Sequence, residues 1–149
     1  MAASAARMAN QTLLVDADDT LWENNIYFER AIASFISYLD HQVHTDDEVR
    51  ERLNLCERAT IAAHGYGVQS FRRSLIDCFE QLSESPVTPD RHARIVSFTD
   101  AIAANEIELL PGVEATLGEL QQRHRVIMVT KGNLAEQTDK VERLSLIHI

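Results

Sequence analysis

The spacing of apolar and polar positions changes character repeatedly along the chain. Leu13-Leu14-Val15 is a continuous apolar run that breaks into Asp16-Ala17-Asp18-Asp19-Thr20. It is too short for a helix and suits a strand buried on both faces, as in a parallel sheet. From Ile26 the spacing becomes helical. Ile26, Phe28, Ile32, Phe35, Ile36 and Leu39 form one stripe; Val49, Leu53, Leu55 and Ile61 form a second. Phe71, Leu75, Ile76, Phe79 and Leu82 form a third, and Ile95, Val96, Phe98, Ile102 and Ile107 a fourth. These stripes predict amphipathic helices. Their ends are marked by Asp46-Asp47-Glu48 in a first turn, Gly65 as a C-terminal residue, the Ser83-Glu84-Ser85-Pro86 breaker, and Thr88-Pro89 as cap and first helical position. Leu110-Pro111-Gly112 resets the chain. A further helix runs through Val113, Leu117 and Leu120. Val126-Ile127-Met128-Val129 then forms a second apolar run ending in Thr130, and Lys131-Gly132-Asn133 turns into a helix over 134–144. Helix, strand, tight turn and helix make a parallel α/β unit. Residues 24–109 read as one helical insertion, and 10–23 with 110–149 as a discontinuous α/β core.

Composition narrows the partners. The chain has 149 residues, 45% of them hydrophobic, and 14 basic against 23 acidic side chains give a net charge of −9. That balance disfavours nucleic acid or an anionic membrane, both of which need clustered Lys and Arg. A phosphorylated small molecule remains compatible if a cation mediates. No apolar stretch approaches the ~18 residues of a membrane span. Met1–Asn10 is Ala-rich, lacks the apolar segment of a signal peptide and reads as a frayed tail. Cys56 and Cys78 have no metal-ligand spacing and read as reduced thiols, which points to the cytoplasm. The six histidines, His41, His44, His64, His92, His124 and His148, are scattered and read as surface residues.

The chemistry lies at the two strand ends. In open α/β sheets ligands bind beyond the carboxyl ends of the strands. One end offers Asp16, Asp18 and Thr20; the other offers Thr130, Lys131 and the Gly132 backbone. Paired carboxylates with a hydroxyl and turn N–H groups suit an Mg²⁺–phosphate unit, because the hard cation takes oxygen ligands and the donors hold phosphoryl oxygens. One carboxylate can attack phosphorus; the other, two residues on, can protonate the leaving oxygen and then activate water.

Leu13–Leu21 resembles the first signature of the haloacid dehalogenase (HAD) superfamily, an apolar strand followed by D-x-D-x-T. Val126–Thr130 resembles the second, and Leu110-Pro111-Gly112-Val113 is also similar to this family. The resemblance implies a Rossmann-like parallel α/β core, incomplete here, with an all-α cap of the C1 type inserted after the first strand. It implies Asp16 as nucleophile and Mg²⁺ ligand. Asp18 is then general acid/base, with its backbone carbonyl on the metal; Thr20 shapes the turn, and Thr130 binds the phosphoryl group. An acid at position 18 places the resemblance in the phosphatase branch. The expected activity is hydrolysis of a small phosphorylated metabolite through an aspartyl phosphate, with the cap closing over the site and Tyr27, Arg30, Arg72 or Arg73 as candidates to reach in. A third-signature Lys is not identifiable, and Lys131 and Lys140 are not assigned to it. The fourth signature, a pair of acids completing the metal site, is absent. Leu144–Ile149 does not continue the pattern, so the chain is expected to be C-terminally truncated and impaired as it stands.

Other readings fit less well. A calcium loop needs Gly at its sixth position, where Leu21 stands, and a helix before it. A receiver-like phosphoacceptor domain needs a further Asp at a strand end and alternating strands where 24–109 offers helices. A non-catalytic HAD remnant is the remaining alternative.

Overall fold

The computed structural model describes residues 10–39 and 43–146. The N-terminal tail reading short of Asn10, His41, His148 and the last three residues lie outside them. The elements in order are β1 (Thr12–Asp16), α1 (Asn25–Leu39), α2 (Asp46–His64), α3 (Val68–Leu82), α4 (Pro89–Ala104), α5 (Val113–Gln121), β2 (Arg125–Val129) and α6 (Leu134–Arg143). The chain is a mixed α/β protein, and its contacts divide it into two compact units.

The helical unit comprises Asn24–Glu106 together with Lys131–Gln137. Its helices begin where local chemistry satisfies their free N–H groups. Thr45 caps α2 through a full capping box: its Oγ1 accepts from Glu48 N, and its own N–H donates to Glu48 Oε2 at 2.7 Å. Thr88 caps α4, with Pro89 in the first turn. The stripes meet in one core in which Phe35, Val49, Leu53, Leu75, Cys78 and Ile95 are wholly buried. Burying each large apolar side chain is worth about 1.5–3 kcal/mol. Aromatic contacts lock the pairing: Phe28 meets Phe71 edge-on at 5.1 Å, and Tyr38 lies 5.8 Å from Phe98. Both cysteines are free and buried in this core. Burial pushes the Cys56 thiol up and the Cys78 thiol up to about 12, so neither is a thiolate at neutral pH. The α4 helix stops at Ala104, short of the predicted extent, and Ile107 packs instead with the strands.

The second unit holds the sheet. β1 pairs with β2 in parallel, in register from Thr12 with Arg125 to Asp16 with Val129. Val15, Val126 and Met128 join Leu21, Trp22, Leu117, Val141, Leu144 and Leu146 in its core. The expectation that β1 is buried on both faces is corrected: Leu14 is 69% exposed and Val129 51%. Among the described residues the sheet has two strands. Alternation turns Leu13 and Val15 toward the packed helices and Leu14 away from them.

Candidate active site

The parallel register delivers both strand ends to the same edge of the sheet. Asp16 is the last residue of β1 and partners Val129, the last of β2, so Asp16-Ala17-Asp18 and Thr130 leave the sheet together. The chain then folds back sharply. Thr20 N and Leu21 N both donate to Ala17 O, at 3.1 and 2.8 Å, and Asp19 N donates to Trp22 O at 2.7 Å. Asp19 sits at φ 61°, a left-handed conformation that Asp tolerates better than most residues. Ala17 is fully buried beneath this turn, and Leu110 N ties it down by donating to Leu21 O at 2.8 Å.

Within the turn each carboxylate has its own partners. Thr20 Oγ1 donates to Asp16 Oδ2 at 2.8 Å, which fixes the rotation of an exposed carboxylate. Two donors converge on Asp18 Oδ1: the indole N–H of the fully buried Trp22 at 2.7 Å and Lys140 Nζ at 2.8 Å. The Lys140 and Asp18 side chains are only 16% and 22% exposed, so the pair is poorly screened. The Lys140 ammonium also lies 5.9 Å from the centre of the Trp22 ring, within cation–π reach.

Of the sequence-predicted residues, Asp16, Asp18 and Thr20 therefore share one turn, and Thr130 stands at the neighbouring strand end. Lys131 and Gly132 group with the helical unit, where Gly132, at φ 147°, lies against Gln137: a Cβ there would meet Gln137 Nε2 at 2.8 Å. Arg72 is committed to Thr99 and Asp100, Arg73 bonds His64, and Arg30 lies 5.8 Å from the Tyr27 ring centre. Two contributors were not assigned from sequence. Lys140 shares a helical stripe with Gln137, Val141 and Leu144, all at least partly buried, and a lysine on an apolar stripe signals an internal partner. Trp22 is the other, a large donor four residues after an acid.

The donor chemistry bears on a metal. Among the described residues no group of three or more His, Cys, Asp or Glu side chains could hold an ion. The oxygen donors of Asp16 and Asp18 nevertheless fit Mg²⁺, which is commonly bound by one or two carboxylates, with water and substrate phosphate completing the octahedron.

A family model for haloacid dehalogenase-like hydrolases matches residues 11–148. The chain belongs to this family. Among solved structures, a haloacid dehalogenase-like family hydrolase from Xanthomonas campestris is 29% identical with a TM-score of 0.81, over 93% of this chain and 57% of that one. The HAD-hydrolase YfnB from Bacillus subtilis, bound to magnesium, is 14% identical with a TM-score of 0.58, over 95% of this chain and 62% of that one. A 2-haloacid dehalogenase from Pseudomonas syringae pv. Tomato DC3000 is 19% identical with a TM-score of 0.53, over 93% of this chain and 60% of that one. The chain thus spans about three fifths of the length of these HAD structures. Comparison with curated proteins gives no match. Among the described residues no helix is long and apolar enough to cross a membrane.

Proposed function

We propose that this HAD hydrolase is a Mg²⁺-dependent phosphoric monoester hydrolase of the cytoplasm, acting on a small phosphorylated metabolite. The observation that carries the reading is the pair of carboxylates two residues apart beyond β1, the second held by Lys140 and Trp22 in a half-buried setting. A halide-displacing site has no use for an acid at position 18. A phosphatase needs one, because its leaving alkoxide must receive a proton.

Asp16 attacks phosphorus through a carboxylate oxygen as the ester P–O bond breaks, giving an acyl phosphate. The Thr20 hydroxyl holds the other end of that carboxylate in place. Asp18 passes a proton to the departing alkoxide, drawn through its carboxylate from the Lys140 ammonium or from solvent, then takes one from the water that attacks the acyl phosphate. Phosphate leaves and Asp16 is restored. Lys140 and the Trp22 indole fix Asp18 in one orientation, so that both transfers use the same atom position. Thr130 binds phosphoryl oxygens from the next strand end. The Asp16 carboxylate and the Asp18 main-chain carbonyl would hold Mg²⁺, which when bound neutralises phosphoryl charge.

The reading is tested by screening the chain against phosphomonoesters with Mg²⁺, beside Asp16→Asn and Asp18→Asn. The expected result is turnover abolished by the first and reduced about 10²–10⁴-fold by the second. Turnover that survives Asp16→Asn overturns it.

A further inference from the structure

The segment between β2 and the body of α6 is fastened to the helical unit by its own contacts. Asn133 Oδ1 caps α6, accepting from Ala135 N at 3.0 Å and Glu136 N at 3.2 Å. This first turn presents Glu136 to the start of α3. Both its carboxylate oxygens accept from Val68 N, at 3.0 and 3.2 Å. Val68 opens α3, and Gly67 before it contributes no side-chain cap. Glu136 therefore serves as a cap supplied from a distant part of the chain, where the helix dipole favours an anion. The fit is close. Gly67 is at φ 133°, and a Cβ on it would meet Glu136 Oε1 at 3.1 Å and Asn133 Cβ at 3.2 Å. On the other side Gln137, 8% exposed, closes against Gly132 and the Lys131 carbonyl.

We propose that Glu136 is a positioning residue: by capping α3 it ties the Lys131–Gly132 turn to the helical unit rather than to the strand that precedes it. Its consequence for catalysis rests on the phosphate-binding reading of that turn; the tie itself does not. Thr130 groups with the sheet unit and Lys131 with the helical unit.

The test is amide hydrogen exchange by NMR on the full chain, with Glu136→Ala, Glu136→Gln and Gly67→Ala. The Gln137 amide, bonded to Asn133 O at 3.0 Å, reports on the segment. Glu136→Ala is expected to speed exchange about tenfold at both Val68 and Gln137, the scale of one charge-assisted hydrogen bond. Glu136→Gln, which keeps a carbonyl acceptor, recovers most of the protection. Gly67→Ala, distant in sequence, speeds exchange at Gln137 as well. Val15 and Met128 amides in the sheet stay unchanged in all three and show that the fold is intact. Exchange at Val68 that changes without any change at Gln137 overturns the proposal, as does a Gln137 amide indifferent to Gly67→Ala. With p-nitrophenyl phosphate as probe, Glu136→Ala is expected to raise KM with kcat little changed. Coupled exchange with unaltered KM supports the tie and removes phosphate binding from the turn.

Discussion

Replacing Lys140 by Met removes a cation from a half-buried carboxylate while keeping most of the side-chain volume. At 2.8 Å, an effective dielectric near 20 gives a Coulomb attraction of about 6 kcal/mol. Desolvating both groups offsets much of this. Exposed pairs are worth about 0–1 kcal/mol and breaking a fully buried one costs about 3–5 kcal/mol. With side-chain exposures of 16% and 22% the pair lies between these limits, and the expected loss is about 2 kcal/mol. The Trp22 indole remains on Asp18 Oδ1, which keeps the loss below the fully buried figure. Urea unfolding followed by tryptophan fluorescence reads this unit directly, since Trp22 is the chain's one tryptophan and is fully buried in the sheet unit's core. The midpoint should fall with little change in slope, and the melting temperature should drop by about 4–8 °C. A double-mutant cycle with Asp18→Asn isolates the pair. A coupling energy below about 0.5 kcal/mol, the limit of ordinary additivity, would refute the claim that Lys140 is the working partner of Asp18.

Leu53→Ala leaves a cavity at a wholly buried position of the helical core and should cost about 2–5 kcal/mol by denaturant unfolding. Burial, reinforced by Glu29 and opposed by Arg50, raises the Glu57 carboxyl above its ordinary value near 4.5. The folded chain thus binds a proton there more readily than the unfolded chain. That contribution to stability is complete below the ordinary value and is lost as pH rises through the folded-state value. Glu57→Gln should therefore be more stable than the parent at pH 7, with the difference shrinking toward pH 4 in paired melting curves. The Cys78 thiol, pushed up to about 12, should resist iodoacetamide at pH 8 until the chain is unfolded, as judged by intact mass.

The sequence exposed the parts of this fold that depend on short-range pattern. Apolar stripes and the Thr88-Pro89 start placed the helices, and the carboxylates behind Leu13-Leu14-Val15 placed the turn. Thr45 was legible in principle, since Thr-x-x-Glu over 45–48 is a capping box, but it reads equally as a break between stripes. Three features were not legible. An apolar run of three does not say how many faces of a strand are covered, and Leu14 is exposed. The Lys140 contact with Asp18 joins residues 122 positions apart, a pairing that no local period encodes. Lys131–Gln137 groups with the helices, and Glu136 reaches Val68 there, again a tertiary contact.

Asp16 is the residue proposed to carry the phosphoryl group. Asp18→Asn should slow the hydrolysis of an acyl phosphate more than its formation, because the neutral amide cannot activate water. Incubating that variant with a phosphomonoester and Mg²⁺, quenching in acid and mapping peptides by mass spectrometry should locate one phosphate on Asp16. Turnover by the parent chain with the phosphate on any other residue of the variant, or on none, would contradict Asp16 as the nucleophile.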